Sequence, residues 1–173
     1  MVRSGRSTRR GSRRPRRPRQ YRNHWTTLRI RLYAPSDDRE WLQMRCALWP
    51  EDTPEVHRSG MAAWLARSDA VVIVAERPDG AGLGGFAEVG SRNYADGCET
   101  SPVAYLEGWY VDADMRRQGV GTALVQAAEG WARDRGYREF ASDARLDNIV
   151  SHRAHESLGF VETERAVLYR KQL

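Results

Sequence analysis

The chain has 173 residues, a formal net charge of +5 and a sequence isoelectric point near 9.6. Residues 1–22 hold ten arginines and no acidic residue, which leaves 18 basic and 23 acidic residues in the rest of the chain. The basic isoelectric point is therefore set by the N-terminal segment, and the body is acidic. No apolar stretch is long enough for a membrane span or a secretory signal, so the composition excludes both classes.

The N-terminal segment, residues 1–24, is rich in Arg, Ser, Gly and Pro. It offers too little apolar surface to offset the entropy of ordering, so it is predicted to be disordered. One hypothesis makes it an arm for nucleic acid or another anionic surface. The favoured alternative is an extension without a role of its own, or a start codon assigned too far upstream. Residues 25–173 are predicted to form one domain.

Hydrophobic periodicity and turn signals predict alternating strands and helices. The predicted strands are 28–33, 70–75, 83–89, 105–111, 138–142, 160–161 and 166–170. The predicted helices are 35–47, 57–67, 120–131 and 148–158. The strands at 70–75 and 83–89 flank a Pro-Asp-Gly turn and form a predicted hairpin. The fold class is therefore α/β, a mixed sheet flanked by helices, with a ligand cleft at the carboxyl ends of the central strands.

Cysteine and histidine positions give no metal signal. Cys46 and Cys98 have no CxxC partner, and the four histidines lack the spacing of metal ligands. This pattern predicts reduced thiols, a cytoplasmic location and no metal.

The run Arg116–Thr122 joins the strand that ends at 111 to an amphipathic helix. Its glycines let the backbone approach an anion, the helix N-terminus adds partial positive charge, and two arginines add full charges. A phosphate-bearing cofactor is the expected ligand. The run lacks the Lys-Ser/Thr ending of a Walker A loop and is not G-x-G-x-x-G. It is similar to the R/Q-x-x-G-x-G/A signature of the GNAT acetyltransferases, whose backbone amides hold the pyrophosphate of acetyl-coenzyme A.

A second pattern lies near the C-terminus, where Asn148 is followed seven residues later by His155 and then by Leu-Gly-Phe. GNAT chains have a similar Asn near the coenzyme, and a Tyr at the position of His155 that often protonates the departing thiolate. A histidine has a suitable pKa for that work, although packing is the alternative role. The resemblance implies a coenzyme site made of Tyr110, Val111, Arg116, Arg117, Gln118, Gly119, Val120, Gly121, Thr122 and Asn148.

Further motifs narrow the resemblance. They are Leu48-Trp49-Pro50, the segment 93–98, Leu106-Glu107-Gly108, Ala141-Ser142-Asp143, the segment 159–165 and Tyr169-Arg170-Lys171. In this order they resemble the aminoglycoside 6'-N-acetyltransferases over about residues 28–173. The resemblance implies acetyl transfer from acetyl-coenzyme A to the 6'-amine of an aminoglycoside, commonly by a homodimer. Carried over by position, the acceptor residues are Trp49, Tyr94, Glu107, Asp143 and Glu164.

The charges agree with a polycationic acceptor. Carboxylates at Glu107, Asp143 and Glu164 suit ammonium groups, and Trp49 and Tyr94 offer flat faces for sugar rings and cations. The acidic body would steer a polycation inward. Within an apolar strand, an unpaired Glu107 would be costly, which favours a functional role.

The expected chemistry needs no covalent enzyme intermediate. Glu107 or Asp143 would accept the ammonium proton, backbone N–H groups near Tyr110 and Val111 would polarise the thioester carbonyl, and His155 would act as the acid. Two alternatives stay open: a GNAT enzyme that acts on a polyamine or protein N-terminus, and a nucleic-acid-associated GNAT-like protein that uses the arginine-rich segment.

Overall fold

The computed structural model describes residues 28–78 and 80–172. The predicted disordered segment, residues 1–24, lies outside the described residues. The strands are β1 Arg29–Leu32, β2 Val71–Glu76, β3 Leu83–Arg92, β4 Val103–Val111 and β5 Phe140–Ser142. The helices are α1 Asp38–Leu48, α2 Pro54–Leu65, α3 Val120–Asp134 and α4 Ile149–Ser157.

The helix starts follow local chemistry. Helix α2 begins at Pro54, three residues earlier than predicted, because a proline at the first helical position loses no hydrogen bond. The Thr53 hydroxyl caps this helix by accepting from the Val56 N–H at 3.4 Å. Helix α4 is capped in the same way by Asn148, whose Oδ1 accepts from the Ser151 N–H at 3.1 Å.

The five strands lie in the order β1-β2-β3-β4-β5. Neighbouring strands are antiparallel except for β4 and β5, which are parallel. This arrangement confirms both the predicted mixed sheet and the predicted β2–β3 hairpin. Strand β5 is shorter than predicted, because it pairs with β4 only from Phe140 to Ser142.

Two apolar clusters cover the two faces of the sheet. One face packs on α3 through residues that include Ala87, Val89, Leu106, Leu124 and Trp131. The opposite face packs on α1 and α2 and includes Trp41, Met61, Val74 and Phe86. Because successive strand residues point to opposite faces, each strand supplies both clusters.

Strand β4 changes phase at Glu107. Its neighbour Gly108 pairs with Glu88, and Leu106 pairs with the next β3 residue, Val89, so Glu107 faces no residue of β3 and forms a β-bulge. Before the bulge, Leu106 packs toward α3; after it, Trp109 does so. The bulge therefore places Glu107 and Gly108 together on the side of α1.

The predicted strands at 160–161 and 166–170 are wrong. Residues 158–172 contain no strand, and Val161, Val167, Leu168 and Tyr169 are 81%, 70%, 92% and 92% exposed. A strand forms only where a neighbouring strand takes its hydrogen bonds, and this segment pairs with none of the described strands. The apolar composition of the segment favoured a strand, but no sheet edge in the described chain receives it.

Among the described residues, no helix is long and apolar enough to cross a membrane. The same residues contain no group of three or more His, Cys, Asp or Glu side chains placed to hold a metal ion.

Candidate active site

The turn before α3 has the geometry of an anion site. Gly119 has φ +83°, and a Cβ built there would meet nothing within 4 Å, so the turn is open at this point. Arg117 also has a positive φ, 58°. The Ala123 N–H donates to the Gly119 carbonyl at 2.9 Å. The amides of residues 120–122 therefore precede the helical ladder and point out of the helix end.

The polar side chains of this turn hold its shape. Arg116 Nε donates to the Val111 carbonyl at 2.8 Å, and Gln118 Nε2 donates to the Asp114 carbonyl at 2.6 Å. Arg117 and Thr122 are exposed, and Val120 is buried in the core under α3. The predicted coenzyme residues of this turn therefore divide into exposed groups and supporting groups.

Gly121 lies against Trp109 of β4. A Cβ at this position would lie 2.9 Å from Trp109 Cζ2, so the glycine is required for the close packing of helix and ring. The Trp109 ring also contacts His155 edge-on, with centroids 5.4 Å apart. On the opposite face, Tyr110 packs on Phe86, and burial raises the pKa of the Tyr110 hydroxyl.

Strands β4 and β5 part after Leu106 and Ser142. Strand β4 continues to Val111 without pairing to β5. The Asp112 N–H donates to the Gly84 carbonyl of β3, so Tyr110, two residues earlier, also bonds β3, and the Val111 N–H faces the side that β5 leaves open. A parted pair of parallel strands beside a helix N-terminus is a suitable cleft for an elongated ligand. The coenzyme turn and this open edge lie next to each other in sequence and fold.

His155 is held by α4 at the point where the strands part. Its Nδ1 lies 2.8 Å from the Ser151 carbonyl, and its Nε2 lies 3.0 Å from Ser142 Oγ. A carbonyl only accepts, so Nδ1 carries a proton and the neutral ring receives the Ser142 hydroxyl proton at Nε2. Ser142 Oγ also lies 3.2 Å from the Leu106 carbonyl.

Asp143 and Glu164 line one cavity of about 870 Å³. Asp143 follows β5, and its Oδ1 accepts from the Tyr105 hydroxyl at 2.7 Å. Glu164 lies in the exposed segment after α4. The remaining lining holds five acidic residues, Asp96, Glu129, Glu139, Glu156 and Glu162, and five arginines, Arg92, Arg133, Arg138, Arg145 and Arg165. The cavity is therefore open and lined by both charges, with two more acidic residues than arginines once Asp143 and Glu164 are included.

Glu107 and Trp49 form a second group. Glu107 accepts from Arg92 through both carboxylate oxygens. Trp49 ends α1 and reaches Gly108, where a Cβ would lie 2.8 Å from Trp49 Cη2. The absence of a side chain at Gly108 therefore creates the place for the Trp49 ring beside the bulge.

A buried ion pair supports Trp49. Glu88 is 2% exposed and accepts from Trp41 Nε1 at 2.8 Å and from Arg45. Burial raises the pKa of the Glu88 carboxyl, and Arg45 opposes this rise. The Arg45 guanidinium lies 4.8 Å from the Trp49 ring centroid. His57 Nε2 lies 3.1 Å from the Trp49 carbonyl, so the tryptophan is fixed at both its ring and its backbone.

Tyr94, another predicted acceptor residue, lies at the protein surface. It is 69% exposed, and its hydroxyl donates to Asp96 Oδ1 at 2.7 Å. This hydrogen bond raises the pKa of the Tyr94 hydroxyl, and Glu164 contributes to the rise. Tyr94 therefore lies at the rim, near Asp96 and Glu164.

Arg92 and Tyr105, which the sequence analysis did not select, connect the two groups. The Arg92 guanidinium lies 3.4 Å from the Tyr105 ring centroid and bonds Glu107, and Tyr105 bonds Asp143. Their contacts depend on the β3–β4 register, including the bulge, and no sequence motif marks that register.

Residues 37–160 match the acetyltransferase (GNAT) family. The chain belongs to the GNAT acetyltransferase family. The enzyme is an acetyltransferase that uses acetyl-coenzyme A, in agreement with the anion-binding turn at α3.

Named relatives place this GNAT enzyme more narrowly. The aminoglycoside N(6')-acetyltransferase type 1 of Klebsiella aerogenes is 48% identical over 147 residues, which are 83% of this chain and 96% of the relative. The structure of AAC(6')-Ih from Acinetobacter baumannii has a TM-score of 0.79 at 40% identity, covering 85% of this chain and 99% of the other. AAC(6')-Iy, solved with the bisubstrate analogue CoA-S-monomethyl-acetylneamine, has a TM-score of 0.79 at 34% identity and the same coverage.

Proposed function

We propose that this enzyme transfers the acetyl group of acetyl-coenzyme A to the 6'-amine of aminoglycoside antibiotics. The observation that carries the proposal is the pair of carboxylates, Asp143 and Glu164, in one cavity that is joined through Tyr105 and Arg92 to Glu107. Relatives at 34–48% identity that are named aminoglycoside acetyltransferases support the same acceptor.

The coenzyme site would use the exposed amides of Gly119–Thr122 and the charge of Arg117 for the pyrophosphate. When bound, acetyl-coenzyme A supplies the acetyl group as an activated thioester. The open edge of β4 near Tyr110 and Val111 offers the Val111 N–H, which would orient this thioester and polarise its carbonyl. Asn148 would act mainly as the cap of α4, which fixes the position of His155.

The acceptor arrives as an ammonium ion and must lose a proton before it reacts. Glu107 and Asp143 would bind the ion and receive that proton, directly or through water. Trp49 would pack on a sugar ring, and Tyr94 and Glu164 would contact the outer part of the acceptor.

His155 and Ser142 form a candidate proton path to the leaving thiolate. In the neutral ring, Ser142 donates to Nε2; in the protonated ring, Nε2–H donates to Ser142, whose hydroxyl then turns to the Leu106 carbonyl. In the transfer, Ser142 would give its own hydroxyl proton to the thiolate and take the Nε2 proton of His155, which returns the ring to its neutral form. His155 would act as the acid, and Ser142 would relay or position its proton.

The test uses isosteric amides, which keep side-chain shape and remove charge. Glu107→Gln, Asp143→Asn and Glu164→Gln should each raise the KM for kanamycin by about tenfold, as expected for a charge-assisted contact. The KM for acetyl-coenzyme A should not change, and spermidine and a peptide panel should be poor acceptors. A folded triple variant with wild-type kanamycin kinetics, or a clear preference for spermidine, would contradict the proposal.

We propose in addition that the enzyme is a homodimer. The segment 158–172 exposes Val161, Val167, Leu168 and Tyr169 and has no strand partner in the described chain. An exposed apolar segment of this kind is suited to a second copy. Light scattering should give twice the monomer mass, and Leu168→Glu should lower it; a monomeric wild-type protein would exclude the dimer.

We also propose a cytoplasmic location for the enzyme and limits for its catalytic domain. The free thiols of Cys46 and Cys98 suit the cytoplasm. Residues 25–173 would form the catalytic domain, so deletion of residues 1–24 should leave kcat/KM unchanged. Loss of activity in a folded truncated enzyme would assign the N-terminal segment to the site.

A further inference from the structure

Arg92 is hydrogen-bonded to the carboxylate of Glu107, which the acceptor is proposed to bind. It lies at the end of β3, opposite Val103, and its side chain runs along the sheet toward the bulge. Nε donates to Glu107 Oε1 at 2.7 Å, and Nη2 donates to Oε2. Among the described residues, the hydrogen bonds to the Glu107 carboxylate come from Arg92. Both oxygens are therefore already bound.

This ion pair is maintained by its surroundings. The Glu107 side chain is 22% exposed, and a carboxylate at this depth is costly without a counter-ion. The hydrogen bonds that Arg92 donates to Glu107 raise the pKa of Arg92, so its guanidinium stays charged. The Tyr105 ring below the guanidinium adds a cation–π contact.

Arg92 is nevertheless placed to move. Its side chain is 41% exposed, and it lines the same cavity as Asp143 and Glu164. A guanidinium that leaves Glu107 can remain over Tyr105 and turn toward these carboxylates, so its displacement leaves no buried charge unpaired.

We infer that Arg92 is a built-in competitor of the substrate: it fills the ammonium position at Glu107 in the free enzyme, and the acceptor must displace it to bind. This inference rests on the proposed acceptor role of Glu107. If Arg92 competes with the acceptor, it lowers the affinity of the enzyme for the acceptor. If Arg92 only positions Glu107, it raises that affinity. The two roles therefore predict opposite changes in KM.

The experiment measures kanamycin KM and kcat, and kanamycin Kd by calorimetry, in Arg92→Gln and Arg92→Met. Both variants remove the charge, and Met also keeps apolar contact with Tyr105. We expect KM and Kd to fall about fivefold or more, with kcat nearly unchanged. Arg153→Gln is the matched control, because Arg153 is an exposed arginine of α4 that neither lines the cavity nor donates to Glu107. It should shift KM by less than about twofold.

The Glu107→Gln background separates the competitor role of Arg92 from the acceptor role of Glu107. There, Arg92→Gln should have no further effect on KM, since the competed carboxylate is gone. If Glu107→Gln raises KM but both Arg92 variants leave KM unchanged or raise it, the competitor role is overturned and the acceptor site stands. A fall in KM of equal size in Arg153→Gln would also overturn it. If Glu107→Gln itself leaves KM unchanged, the acceptor role of Glu107 fails, and this inference fails with it.

Discussion

The hydroxyl of Tyr105 donates a 2.7 Å hydrogen bond to Asp143 Oδ1, which ties the central strand to the loop that follows β5. Asp143 comes one residue after Ser142, the last β5 residue paired with β4. The bond therefore fixes the position of the Asp143 carboxylate, a proposed contact of the acceptor, next to the point where β4 and β5 part.

Tyr105→Phe removes this bond and keeps the ring. The kanamycin KM should rise about fivefold, the equivalent of ~1 kcal/mol, with acetyl-coenzyme A KM unchanged. Burial, together with the bond to Asp143, raises the pKa of the Tyr105 hydroxyl well above its usual range. The hydroxyl therefore remains a donor, and the ratio of variant to wild-type KM should be constant from about pH 6 to 9. A ratio that collapses within this range would contradict the assignment.

Gly108→Ala tests the packing of Trp49. The added Cβ would lie 2.8 Å from the Trp49 ring, so the ring must move away from the bulge. We expect a loss of about 1–3 kcal/mol in the free energy of unfolding and a raised kanamycin KM. Gly130→Ala in α3 is the control, since nothing lies within 4 Å of its added Cβ. That change should stabilise the protein by about 0.5–1 kcal/mol in urea unfolding; equal effects of both variants would exclude a specific contact.

Gly119→Val tests the coenzyme turn. A β-branched side chain is strained at φ +83°, and the turn should rearrange, so the Kd for acetyl-coenzyme A should rise at least about tenfold by calorimetry. Gly136→Val is the matched control. Gly136 follows the other end of α3, has φ +80°, and has nothing within 4 Å of an added Cβ. It should cost similar stability and leave the Kd unchanged. Unchanged affinity in a folded Gly119→Val protein would remove the turn from the coenzyme site.

Asp37→Asn tests a stabilising ion pair away from the cleft. Arg31 donates two hydrogen bonds to the Asp37 carboxylate, at 2.6 and 2.8 Å, and thereby lowers the pKa of Asp37 below its ordinary 3.8. The charged form is favoured by folding, so this stabilisation is complete above about pH 5 and is lost as the pH falls through the lowered pKa. The variant should lose about 1–3 kcal/mol at pH 7. The difference should narrow toward pH 3 in urea unfolding; a difference independent of pH would contradict the ionic origin.

The coenzyme turn and the family were predictable because their signals are local. Gly119, Gly121 and the following apolar stripe specify a turn and a helix within about fifteen residues, and the match at 37–160 confirms the family. The Arg92–Glu107 pair was not predictable, because it depends on a one-residue bulge that no composition signal marks. The C-terminal strands were predicted wrongly because apolar residues at 166–170 favour a strand without revealing whether an edge is available.

The bulge at Glu107 also divides β4 into two independent halves. Side chains up to Leu106 and side chains from Gly108 onward follow opposite alternations, so a given position can be altered in one half without shifting the other. Deletion of Glu107 would remove the extra residue and leave one regular alternation, with Leu106 and Trp109 still on the α3 side. The proposed acceptor carboxylate at the bulge can therefore change without shifting the proposed coenzyme edge that follows it, which allows new acceptors to be accommodated while the acetyl donor stays the same.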